Sequence, residues 1–113
     1  NKYWKLKTLE GKPVAMAINQ EKEQYFKLNS DGTMSGFAGC NQFNGHYKLS
    51  DGNRIRVNEN LAVTMKSCPD VAINESEFLE VLKLTDNFTI KGDTLNLHVG
   101  RRAPLAVFEA VYF

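Results

Sequence analysis

No apolar run in this sequence of 113 residues approaches the ~18 residues needed to cross a bilayer as a helix. Charge of one sign is also lacking. The 14 Lys and Arg are nearly balanced by 13 Asp and Glu, for a formal net charge of +1. That argues against a dedicated nucleic-acid binder, which needs a basic excess. Internal repeats and low-complexity tracts are absent. Cysteine is limited to Cys40 and Cys68, with no Cys-x-x-Cys pair, and His46 and His98 form no His-x-x-x-His pair. A zinc site therefore lacks its usual ligand spacing. Gly-x-Ser-x-Gly, His-Glu-x-x-His and phosphate-loop patterns are missing too. Cys40 with His46 would need an orienting third group to act as a thiol catalyst, and none is evident. The expectation is no enzyme, no metal and no cofactor.

What is present suits one soluble domain over residues 1–113. Hydrophobic residues make up 42% and charged residues 24%, ordinary for a globular chain. At this length roughly two thirds of the unfolded surface can be buried. The sequence starts Asn1-Lys2-Tyr3-Trp4 without an initiator Met, and we expect a mature or trimmed fragment, so a missing targeting segment carries no information.

Hydrophobic periodicity is mostly that of strands. In Tyr3–Leu9, Trp4 and Leu6 point one way and Tyr3, Lys5 and Lys7 the other. Glu10 to Pro13 reads as a turn, Val14 to Ile18 as a short strand, and Asn19 to Gln24 as a polar loop. Tyr25–Leu28 and Thr33–Gly36 flank an Asp31-Gly32 turn, and Gly45–Leu49 and Arg54–Val57 flank Asp51-Gly52. Leu61–Met65 and a hairpin of Phe88–Ile90 with Thr94–Val99 follow. Leu105–Phe113 is apolar on both faces, as a central strand would be. One helix is expected over Asn74–Leu84, with Phe78, Val81 and Leu82 facing inward. Asn74 would cap it in a box with Glu77. Glu75, Glu77 and Glu80 read as solvated. Pro69 would open an earlier short helix. The fold class is mainly β with helix (α+β). It would be an antiparallel curled sheet or partly open barrel of about eight short strands, with one main helix packed against it.

Trp4, Phe26, Phe37, Phe43, Phe108 and Phe113 are many large apolar groups for a small domain. They either fill the core or line an apolar cavity. By spacing alone, Cys40 and Cys68 are equally compatible with one bridge and with two buried thiols.

The most distinctive stretch runs from Gly36 to Tyr47 and contains Gly39-Cys40-Asn41 and Gly45. Gly36 and Gly39 permit backbone approaches that a side chain would block, and Asn41 can bond neighbouring backbone. Thr64-Met65 leads to Cys68. With Trp4-Lys5-Leu6, Gly11 to Val14 and Leu95-Asn96-Leu97, these elements resemble the META domain family, the HslJ-like small envelope domains, over nearly the whole chain. The aromatic C-terminal end, after Arg101 and Arg102, departs from the pattern.

The resemblance implies a β-rich domain with no known catalytic activity, usually in bacterial lipoproteins or other exported proteins. Some members are linked to stress phenotypes. The fold is similar to secretion pilotins that hold a lipid chain in a cracked barrel. The expectation that follows is a monomeric periplasmic or cell-surface domain, tethered through a lipid anchor upstream of this chain. It would scaffold or bind an unknown envelope protein; the alternative is a carrier of an apolar ligand. Export favours a Cys40–Cys68 disulfide. Gly36, Gly39, Asn41, Gly45 and Thr64 would be the structural motif.

Overall fold

Alternation of apolar and polar residues produces strands along most of the chain. A computed structural model describes residues 2–14, 23–65 and 74–112. Among them are β1 (Tyr3–Leu9), β2 (Lys12–Pro13), β3 (Tyr25–Leu28), β4 (Thr33–Phe37) and β5 (Gln42–Ser50). Then come β6 (Arg54–Val57), β7 (Ala62–Val63), helix α1 (Glu75–Leu84), β8 (Asn87–Lys91), β9 (Thr94–His98) and β10 (Ala106–Val111).

All pairings are antiparallel. The order β10-β9-β8-β6-β5-β4-β3-β1 closes through β10–β1 into an eight-stranded barrel, with β2 and β7 outside the ring. The expected curled sheet is thus a closed barrel. β10 pairs with β1 on one side and β9 on the other. Ala106, Phe108 and Ala110 point inward, while Val107 and Val111 are half-buried on the other row.

Two local expectations change. Glu10 and Gly11, both at positive φ, make a tight turn that leaves Lys12 and Pro13 paired with Leu9 and Thr8 as β2. The strand expected over Leu61–Met65 shrinks to β7, because Leu61 turns inward and Met65 is 94% exposed. Of the strand expected at Val14–Ile18, Val14 lies outside any strand and the rest outside the described residues. Pro69 and Phe113 lie outside them as well.

Relative to β5, β6 and β7 behave as one interrupted strand. β5 pairs with β6 at Tyr47↔Val57 and with β7 at Phe43↔Val63. Asn58, Glu59 and Asn60 between them bulge out. The bulge is anchored by Asn58 N–H to the His46 carbonyl at 2.8 Å and by Asn60 N–H to Asn58 Oδ1 at 2.9 Å.

The weakest join in the ring is β6–β8, with the single ladder pair Arg54↔Asn87. Two further bonds brace it, Ile55 N–H to Asp86 O and Phe88 N–H to Asn53 O. Beyond that point the chain preceding β8 is α1, so helix replaces strand beside Arg56 and Val57. Phe78, Val81 and Leu82 enter the interior, with Phe78 ring centroids 6.0 Å from both Phe43 and Phe108. They join Trp4, Leu6, Phe26, Met34, Leu95 and Leu97 in one core. The predicted helical face is correct, and Asn74 stands at the N-cap position as predicted, but without the predicted side-chain bond. Asn74 makes no side-chain cap bond, because its Oδ1 accepts from Gln24 Nε2 at 2.8 Å.

Candidate functional site

The residues singled out in the sequence gather where β4 gives way to β5. Gly36 lies on the inward row, in register with Phe26 and Phe43. A Cβ there would overlap the Tyr25 carbonyl and the Phe43 ring. At Gly45 a Cβ would strike the Leu61 side chain, so this glycine is what lets the bulge residue pack inward. Gly39 has φ 124, in the region that favours glycine.

The loop from Ala38 to Asn41 is held by side chains from distant segments. Glu75 Oε2 accepts the Cys40 N–H at 3.0 Å and the Asn41 N–H at 2.7 Å, while Oε1 accepts Asn41 Nδ2 at 2.9 Å. Thr64 Oγ1 donates to Asn41 Oδ1 at 2.8 Å and accepts from Gln42 N–H at 3.1 Å. Gln24 Nε2 donates to the Ala38 carbonyl at 2.7 Å as well as to Asn74. Asn41 and Thr64 therefore meet as expected from the motif. The solvated reading of Glu75 is corrected, since it is half-buried; Gln24 lies in a loop as expected, but at 3% exposed it is buried rather than a surface group. Only the sequence-distant contact with the loop reveals them. No buried side-chain nitrogen or oxygen among the described residues lacks a partner. No free cysteine occurs among the described residues, and Cys40 is buried. Cys68 lies outside them.

The aromatic candidates separate by row. Trp4, Phe26, Phe43 and Phe108 share the interior, with Phe26 and Phe108 edge to face at 4.7 Å. Phe37 is buried on the opposite row, in register with Tyr25 and Gln42. Tyr3 stacks on Tyr25 on this outer side at 4.2 Å. Burial, then Glu23, pushes the Tyr3 hydroxyl well above its ordinary range.

The histidines lie on separate strands, β5 and β9. No group of three His, Cys, Asp or Glu among the described residues is placed to hold a metal. His98 bonds Thr89 Oγ1 and the Arg102 carbonyl, each at 3.2 Å. An open depression of 420 Å³, missed by the sequence analysis, is lined by His46, Tyr47, Lys48, Arg56, Val57, Asn58 and Glu59.

These features define a class: a small antiparallel barrel closed on a helix, with a glycine-rich loop latched to the start of that helix. The META domain model matches residues 1–112, and the chain belongs to the META domain family. A protein from Burkholderia xenovorans solved by NMR is 25% identical, with TM-score 0.71, covering 99% of this chain and 83% of that one. Another NMR structure is 22% identical, with TM-score 0.68 over 96% and 87% of the two chains. A crystal structure of a DUF4847 family protein from Bacteroides vulgatus is 19% identical, with TM-score 0.58 over 96% and 89%. These last two likenesses concern the fold alone. No curated protein matches the chain.

Proposed function

We propose that this is a non-enzymatic cell-envelope domain, a scaffold or binding module for another envelope protein, exported and carried on a lipoprotein. The observation that supports this most is the fate of the family motif. Its polar groups are spent on one another in the Glu75–Asn41–Thr64 latch, a use that makes a rigid framework rather than a reaction centre. In an oxidising compartment Cys40 bridges to Cys68, tying the latched loop to the segment before α1. Such a bridge stabilises by about 3.5 kcal/mol through loop closure.

The second reading is a carrier of a lipid or small apolar molecule. It is favoured by the β6–β8 seam, where one ladder pair and an inserted helix close the barrel. Outward movement of α1 would uncover Phe43 and Phe108 for an acyl chain.

Native mass spectrometry of non-reduced protein from a bacterial host tests both. A monomer without adduct, lighter by the two thiol hydrogens and inert to alkylation when denatured, is the expected result. A co-purifying hydrophobic mass selects the carrier. Two freely alkylated thiols in protein made under oxidising conditions would remove the argument for export.

A further inference from the structure

We propose that the depression on the outer face of β5–β6 is a binding site for a phosphate-bearing anion. Lys48 and Arg56 are direct cross-strand partners, and both side chains are exposed. Opposed like charges weaken a sheet, so this pair is unfavourable unless something negative lies between them. Ser50↔Arg54 is the next cross-strand partnership on the same row, which brings a third fixed cation alongside. His46, two residues before Lys48 on the same row, adds a ring that can donate.

The site is concave because of the bulge. Asn58 is pulled to the His46 carbonyl, and Asn58 and Glu59 form a wall beside the two cations. Bulges re-aim side chains in this way beside binding sites. Arg56 is oriented from behind, with Nη1 donating to the Thr85 carbonyl at 3.5 Å. The guanidinium fork and the lysine point charge complement each other around a multi-oxygen anion.

The negative groups nearby offset the pair only in part. Glu59 is the one carboxylate in the lining. Asp31 acts on His46 rather than on the pair, and bonds from the Thr33 hydroxyl and amide hold it ionised. Asp86 acts on Arg56 and Arg54 from outside the lining, held ionised by bonds from Asn87 Nδ2 and Gly100 N–H. Within the lining two cations, Lys48 and Arg56, stand against one carboxylate, Glu59, around a space of 420 Å³, and adjacent cations of this kind suit a multi-oxygen anion such as phosphate.

The test is NMR titration of the amides of His46–Lys48 and Arg56–Glu59. The two probes are inorganic pyrophosphate and phosphatidylcholine vesicles with an equal share of phosphatidylglycerol. Saturable shifts with pyrophosphate assign a soluble phosphate ester. A response confined to the anionic vesicles, and absent with pure phosphatidylcholine, assigns a lipid headgroup. Either outcome supports the site. Lys48→Gln with Arg56→Gln should weaken binding about tenfold, whereas Lys91→Gln on the β8–β9 hairpin should leave it unchanged. Glu59→Gln keeps both cations and should tighten binding severalfold. No saturable response to either probe, equal weakening by Lys91→Gln, or no tightening by Glu59→Gln overturns the proposal.

Discussion

Glu75 shows how one side chain can organise a motif. Its carboxylate receives two backbone amides and one side-chain amide from the Cys40–Asn41 loop. Glu75→Ala leaves those donors without their acceptor and should cost about 1–3 kcal/mol, read as a lower melting temperature by circular dichroism. Gly45 is the second telling residue, because the Leu61 side chain occupies the space of its missing Cβ. Gly45→Ala should destabilise by about 1–3 kcal/mol through overpacking. A Leu61→Ala background should recover part of the loss. A merely conformational glycine would show no such rescue.

Among elements, α1 matters most, since it supplies core where the β6–β8 ladder stops. Phe78 is fully buried between Phe43 and Phe108. Phe78→Ala should cost about 3–5 kcal/mol, measured by chemical denaturation. The chain leaves the helix for β8 through Asp86, whose carboxyl lies below its ordinary range, first because Asn87 donates to it and next because Gly100 does. A lowered folded-state value means stability present above the unfolded value and lost as pH falls through the folded one. Asp86→Asn should therefore reduce the melting temperature at neutral pH, with the difference vanishing in acid. A gap that persists unchanged in acid would mean that the charge is not the cause.

At the scale of the whole molecule, closure is uneven. β1 and β10 are in register over most of their length, whereas β6 and β8 share one pair. Hydrogen exchange should find the Ile55 and Phe88 amides opening more readily than those of Lys5 and Glu109, which face each other across β1–β10. Equal protection on both sides would mean that α1 locks the seam as firmly as a full ladder, and the carrier reading would lose its support.

Alternation in β1, β3, β6 and β9 was legible in the residues, because burying one face of a strand imposes a period of two whatever its neighbours are. The inward face of α1 was legible for the same reason, with Phe78, Val81 and Leu82 at helical spacing. The turn glycines and the Gly39-Cys40-Asn41 motif also stood out, since local backbone geometry demands particular residue types. Pairing was a different matter. Closure of β10 on β1, the helix taking the place of a strand at β6–β8, the Glu75 latch and the opposition of Lys48 to Arg56 all join segments far apart in the chain. Nothing local to Glu75 distinguishes it from the solvated Glu77, and nothing local to Asn74 shows that Gln24 will claim its side chain instead of the helix end. Those assignments depend on which partner each group meets once the barrel has closed, and only the tertiary structure decides that.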